Sequence, residues 1–351
     1  MLDTLESDEL TGAVGAWQKF SQQNRQTMNL SYKDFDEIQP AVDKFESETK
    51  SRLNIFLEGE CLMIRRNALD RIKFKNGNFA NEIFQHGIYD AIDLSFKIWL
   101  AGFKLQLAPT FVHWQKSNSI TVEQLSKEEQ LFKDKWGFSI QYSTNVRLDI
   151  LNMIQEPVSD SPDFLEIGCA SGGTLIEIKN RYHKAKLHGI EINSKSAKIS
   201  SCFAEIENVD IEKFAPEHWH ENFDYIICGD VIEHLVDPWA AVKNIRAMLK
   251  PDGHLLASIP NVCHIEVVRD YLHGHWRYQD AGILDRTHLR FFTLESIQTM
   301  FQSENMAGVM LPKQLVSSET DYRFAQELSA RFNIPLNNFT TYQWLVNVRK
   351  I

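Results

Sequence analysis

The stretch Phe164-Leu-Glu166-Ile-Gly168-Cys169-Ala170-Ser-Gly172-Gly173 reads as a short apolar strand that turns directly into a helix. Gly168 suits the tight turn, and small Ala170 and Gly172 let the backbone approach a ligand where larger side chains would collide. About 20 residues further on, Glu191 ends the next apolar run, Leu187–Ile192, where a carboxylate can accept both hydroxyls of a ribose. Working outward, the spacing predicts helices over Thr174–Tyr182 and Ser194–Phe203 and a third strand over Phe223–Cys228. Asp237 and Pro238 mark a helix start, with Ala241, Val242, Ile245, Met248 and Leu249 as its buried stripe. Pro251-Asp-Gly253 predicts a turn into a strand over Leu255–Ile259. Upstream, Val146, Leu148, Ile150, Leu151 and Ile154 recur at helical spacing. Strands alternating with helices imply an α/β, doubly wound parallel sheet, whose ligands bind beyond the carboxyl ends of the strands.

The 351 residues allow one large or two ordinary domains. With 37 basic and 47 acidic residues the net charge is −10, which argues against a nucleic-acid binder. Five scattered cysteines, none in a C-x-x-C pair, imply a reducing compartment without disulfides or a zinc site. No leader-like apolar segment and no run long enough to span a bilayer is evident, so the expectation is a cytoplasmic protein, at most peripheral to the inner face of the membrane.

Taken alone, the glycine loop suits two cofactors, because Gly168, Ala170 and Gly173 also satisfy a loose dinucleotide fingerprint. Glu166 instead places a carboxylate where an ammonium group would sit, and no basic residue for a phosphate follows until Lys179. Both details favour S-adenosylmethionine over NAD.

The run Phe164–Gly173, then Gly189-Ile-Glu191, then Gly229-Asp230-Val231-Ile-Glu-His234 with Asp237-Pro238, resembles a class I S-adenosylmethionine-dependent methyltransferase of the methyltransferase-11/12 or ubiquinone-biosynthesis O-methyltransferase type. Ser258-Ile-Pro-Asn261 and the segment Gly274–Phe292 resemble a subgroup from bacterial polysaccharide-biosynthesis loci, and Tyr342–Val348 resembles the family's last strand. The resemblance covers residues 141–351. It implies a Rossmann-like fold in which Glu166, Gly168, Cys169, Ala170 and Gly172 surround the methionine part of the cofactor. It also implies Glu191 on the ribose, Ile192 against the adenine, Asp210 toward the adenine amine, and Gly229, Asp230 and Val231 on the sulfonium side.

Methyl transfer needs an aligned nucleophile, and a weakly acidic hydroxyl gains from a general base. His234, beyond the third strand, is the first candidate. His264, Asp285 and His288 form a second group, with Trp276, Tyr278 and Asp280 giving their loop the composition of a sugar site. The competing reading of that loop is a brace in which Arg286 and Arg290 pair with acids. No metal is assigned, because no spacing of histidines and acids is diagnostic.

Residues 1–130 form a smaller α+β segment. Phe56–Asp70, Tyr89–Gly102 and Pro109–His113 resemble the acceptor-side half of a family 2 glycosyltransferase of GT-A fold, and Met1–Gly15 resembles the helix and strand after that family's D-x-D. The donor half is missing, and Asp90-Ala-Ile-Asp-Leu94 carries alanine at the usual base position. Asp34-Phe-Asp36 reads as a solvated acidic run. The segment is expected to pack, to form homo-oligomers or to bind acceptor glycan. Together these readings imply O-methylation of a sugar or glycan in surface-polysaccharide biosynthesis. A bifunctional glycosyltransferase-methyltransferase and a non-catalytic glycan-binding scaffold are the alternatives.

Overall fold

The structure, a computed structural model, describes residues 1–18, 26–27, 35–59, 61–73, 84, 88–112, 121–155, 157–214 and 217–351. Asp34, the Asp36 side chain and His113 lie outside the described residues. The chain divides into two compact units. One comprises residues 1–146, 169–183 and 193–205, and the other 147–168, 184–192 and 206–351.

The first unit carries strands β1 (Thr11–Gln18), β2 (Arg52–Leu53), β3 (Leu62–Ile64) and β4 (Lys104–Val112), in the order β2-β4-β1-β3. β1 runs parallel to β4 and antiparallel to β3. Its core is aromatic: Phe56, Phe96, Trp99, Phe132 and Phe138 are buried together. The helix Val122–Trp136 is delimited locally by a Thr121–Gln124 capping box and by Gly137 in the left-handed conformation, φ 75°. Asp93 is fully buried, accepts from Trp136 Nε1 at 2.9 Å and bridges Lys97 at 2.7 Å and Lys135. The helices Gly173–Arg181 and Ser194–Ser200 also belong to this compact unit. Asn180 exchanges hydrogen bonds of 2.9 and 3.0 Å with the Leu53 backbone, and Trp99 packs on Phe203 with ring centroids 5.0 Å apart. These side-chain pairings join segments that sequence periodicity treats as independent.

The second unit is built on seven strands: β5 (Asp163–Ile167), β6 (Lys186–Ile190), β7 (Glu205–Glu207), β8 (Phe223–Gly229), β9 (Leu249–Pro260), β10 (Met306–Gln314) and β11 (Thr341–Lys350). Their order is β10-β11-β9-β8-β5-β6-β7. β6, β5, β8 and β9 are parallel neighbours, as the sequence implies. The sheet as a whole is mixed, because β11 inserts antiparallel between β9 and β10. Pro312 lies in β10, the outer strand, where a missing amide donor is tolerated. The helix Pro238–Met248 starts as read, with the Asp237 side chain accepting from Ala240 N at 3.0 Å. Two local expectations change. The helix around Val146–Ile154 is only Leu148–Leu151. The turn at Pro251–Gly253 is an excursion inside β9, with Asp252 at φ 59° while Leu249 still pairs with Phe223 and His254 with Tyr225. At the start of this unit Asp149 accepts from Arg147 at 3.1 Å and from Lys313 at 2.7 Å. Burial opposes its ionisation, but these hydrogen bonds dominate and pull its pKa to about 2.

A Cβ at Gly173 would lie 2.3 Å from the Thr144 carbonyl oxygen, a backbone atom that cannot swing aside. Gly173→Ala should therefore lose about 1–3 kcal/mol of stability by overpacking, measured by urea unfolding. Lys313→Met should cost about 0.2–1 kcal/mol at pH 7, since the pair is half exposed. Because the folded pKa of Asp149 is depressed, that contribution is complete above its ordinary value of 3.8 and disappears as pH falls through about 2. Unfolding curves of both proteins between pH 7 and pH 2 should converge at the acid end.

Candidate active site

The carboxyl ends of β5, β6 and β8 carry most of the residues the sequence singles out. Glu166 is buried in β5 with 6% of its surface exposed. Gly168, at φ 70°, donates its amide to the Ile190 carbonyl at 2.8 Å, and a Cβ there would press on Val231 Cγ2 at 3.0 Å. The positive φ and the contact together require glycine. Glu191 follows β6, 7% exposed, and donates its amide to the Glu207 carbonyl at 3.0 Å. Asn208 Nδ2 donates to the carbonyls of Glu191 and Ile192 at 2.6 and 3.1 Å. Ile192 leaves 71% of its surface open, an apolar face beside a carboxylate. Asp210 accepts from Glu212 N at 3.1 Å and pairs with Lys213 at 3.1 Å, which holds its carboxyl below the ordinary value.

In the first unit, the remaining loop residues are equally constrained. Cys169 is buried with Sγ 3.9 Å from Ser200 Oγ, and Ala170 is left-handed at φ 47°. Gly172, at φ 86°, has the Phe203 ring 2.6 Å from where a Cβ would stand.

Beyond β8, Asp230 adopts φ 55°, and four hydrogen bonds hold it there. Its amide donates to Ser258 Oγ at 3.0 Å, and its carboxylate accepts from Ser258 at 2.6 Å, Gln343 at 2.8 Å and Arg147 at 2.8 Å. Gly229 lies against Arg147, whose Nη1 would be 2.8 Å from an added Cβ. Sequence reading missed Arg147, Ser258 and Gln343 in this role. The one local signal is a lone arginine at the head of the apolar 146–154 run.

His234 and His288 come together, with ring centroids 4.8 Å apart and their planes nearly perpendicular. The junction is made by backbone: Leu289 N and Arg290 N both donate to the Glu233 carbonyl, at 2.8 and 3.0 Å. His234 Nδ1 lies 3.2 Å from Thr287 O, and His288 Nδ1 lies 2.9 Å from Ile283 O. A carbonyl only accepts, so each Nδ1 carries a proton, and in the neutral ring Nε2 keeps its lone pair. Burial, then the neighbouring His288, pushes the His234 imidazole below its ordinary pKa. Glu233 is buried beneath the rings, and burial followed by the nearby Asp230 charge pushes its carboxyl up. Asp285 folds the turn. Its Oδ1 accepts from Thr287 N at 2.8 Å and Thr287 Oγ1 at 2.6 Å, and these bonds, against the effect of burial, keep its pKa low. His264 stands apart. It is fully buried, Nε2 lies 2.6 Å from Leu315 O, and it caps the helix Ile265–Leu272. Of the two arginines expected to brace the loop, Arg286 pairs with Asp280 at 2.6 Å, while Arg290 donates to the Val236 carbonyl.

The chain is similar to several known proteins. The model of a methyltransferase-domain family matches residues 142–309. A ubiquinone biosynthesis O-methyltransferase of Coxiella burnetii is 27% identical over 155 residues, covering 41% of this chain and 64% of that protein. The protein of the same name from Neisseria meningitidis serogroup A is 31% identical over 121 residues, 31% of this chain and 50% of its own length. The chain thus spans less than two thirds of the curated relatives it matches. Among solved structures, a SAM-dependent methyltransferase from Archaeoglobus fulgidus has a TM-score of 0.44 at 16% identity, covering 63% of this chain and 99% of that one. Residues 142–309 constitute a class I, S-adenosylmethionine-dependent methyltransferase domain.

Proposed function

We propose that the protein transfers a methyl group from S-adenosylmethionine to a hydroxyl of a sugar or glycan, in the making of a bacterial surface polysaccharide. The observation that carries the reading is the pair of buried carboxylates, Glu166 and Glu191, at the ends of neighbouring parallel strands, with the His234–His288 pair beyond the next strand. Buried acids suit a cationic ribosyl ligand and would repel a pyrophosphate. The cofactor supplies a methyl group already activated on sulfur. Glu166 and the Gly168 turn would take its methionine end, Glu191 the ribose and exposed Ile192 the adenine face, with Asp210 toward the adenine amine. Gly229, Asp230 and Val231 would line the sulfonium side. Cys169, Ala170 and Gly172 continue the same glycine loop in sequence.

His234 is placed to accept a proton, because Nδ1 is committed to Thr287 and Nε2 has a lone pair. Its lowered pKa keeps it neutral and basic at pH 7. The curated relatives are named as O-methyltransferases, which supports an oxygen nucleophile. Exposed Trp276 and Tyr278, each packed on Phe291, offer flat faces of the kind sugar rings stack on. The glycosyltransferase-like sequence of the first 130 residues points to the same acceptor class. Glycosyl transfer by the chain itself is less well supported, since Asp93 of Asp90-Ala-Ile-Asp-Leu94 is buried and locked to two lysines. None of the five cysteines is in a disulfide and no helix among the described residues is long and apolar enough to cross a membrane, which suits work in the cytoplasm or at the membrane's inner face.

S-adenosylhomocysteine should bind by calorimetry, and absence of binding at hundreds of micromolar overturns the reading. Glu191→Ala should weaken that binding more than tenfold, the loss expected for charge-assisted hydrogen bonds. With an acceptor found by screening sugars and nucleotide sugars against labelled cofactor, His234→Ala should lower kcat by about 10²–10⁴. Its affinity for S-adenosylhomocysteine should stay near wild type.

A further inference from the structure

Glu233 presents an unusual problem. Its carboxylate is buried to 1% exposure, and neither oxygen has a hydrogen-bond partner on any other described residue. A bare buried carboxylate is costly unless something positive or hydrogen-bonding meets it. What faces it is a pair of imidazole nitrogens. His288 Nε2 lies 4.0 Å from Glu233 Oε1, and one ligand atom from each of Glu233, His234 and His288 falls within 4.8 Å of the other two.

The way the histidines are held narrows the reading. Each donates Nδ1–H to a backbone carbonyl, Thr287 for His234 and Ile283 for His288. In the neutral ring that bond leaves Nε2 as the nitrogen with the lone pair, and it is the outer-shell contact that metal-binding histidines make. Both carbonyls come from the turn that Asp285 folds through Thr287, and the same turn is fastened to the Glu233 carbonyl. One ligand atom from each of the three residues therefore lies within 4.8 Å of the other two, and a backbone carbonyl orients each ring.

We infer that Glu233, His234 and His288 form a site for a divalent transition-metal cation, Zn²⁺ being the probe of choice. Two imidazoles and one carboxylate suit zinc and its neighbours better than magnesium or calcium, which prefer all-oxygen shells. Three protein ligands leave coordination positions open, as in sites that bind a reactant. Metal–ligand bonds of about 2.0–2.2 Å place ligands roughly 3.3–3.5 Å apart, so a small rotation of either ring closes the set. The use made of the cation rests on the methyltransferase reading: it would bind the acceptor oxygen and make its hydroxyl more acidic, and His234, with Nε2 on the cation, would then act as its ligand in place of accepting the proton itself. The existence of the site does not rest on that reading.

The test uses the full chain, stripped with a chelator and dialysed. Zinc chloride titrated by calorimetry should bind with one high-affinity equivalent per chain, and Co²⁺ should give the absorption bands of a low-coordinate site. Glu233→Gln and His288→Ala should each weaken zinc binding at least tenfold, and His275→Ala, at an exposed histidine outside the cluster, should not. S-adenosylhomocysteine affinity, measured on every variant, reports whether the fold survives; if either cluster variant loses it, His234→Ala takes its place. Wild-type protein that binds the homocysteine compound but not zinc overturns this inference and leaves the methyltransferase reading intact. Zinc binding without homocysteine binding does the reverse. Zinc bound equally well by folded cluster variants also overturns the site.

Discussion

One carbonyl, that of Glu233, accepts two amides, Leu289 N and Arg290 N, and the chemistry of the second unit depends on that junction. β8 ends at Gly229, and the chain would otherwise leave toward the helix Pro238–Met248 with His234 as an isolated side chain. The paired amides instead hold the Ile283–Arg290 stretch against this turn. His288 then meets His234 edge to face, and the Thr287 and Ile283 carbonyls orient both rings. Backbone hydrogen bonds are short and directional and involve no side-chain freedom. A site assembled this way is held by the fold itself.

The turn after β8 relies on strain held in place by polar contacts. Ala170 and Asp230 both lie in the left-handed region, which costs a non-glycine residue on the order of 1–2 kcal/mol. At Asp230 the compensation is visible: Arg147, Ser258 and Gln343 all converge on its carboxylate, from the start of the unit, from β9 and from β11. That explains how an antiparallel strand bears on a site built at parallel-strand ends. Gln343 of β11 is opposite Pro260 of β9, so the inserted strand delivers its amide to Asp230. Strain of this kind persists where the surroundings determine the geometry, and it collects where ligands bind.

Features encoded by neighbours in sequence were legible in advance. The strand-to-helix turn at Gly168 and the Asp237 cap each depend on a few adjacent residues, and the structure has both in place, while the last strand is legible through the family resemblance. Features made by distant partners were not. Nothing around Asn180 announces that its amide will pair with Leu53, so the helix Gly173–Arg181 was assigned to the sheet it follows, although it packs in the first unit. Arg147 is a single charge beside an apolar run, and no neighbour in sequence marks Asp230 or Ser258 as its partners. His264 had the composition of a reactive residue and turned out to hold the Leu315 carbonyl. Composition marks a residue as able to react, and only its hydrogen-bond partners show whether that capacity is already committed.

The same distinction separates Asp285 from Glu233. Both are acids beside the histidine pair, and on composition Asp285 was the better candidate, within a polar Asp-Arg-Thr-His run. The structure commits Asp285 to Thr287, so it shapes the turn. Glu233 could be read as a residue that merely caps the following segment. Yet it is the acid whose backbone carbonyl anchors the loop while its carboxylate points, buried, toward His288. A residue that fixes geometry with its main chain is free to react with its side chain, and at this position a single glutamate does both.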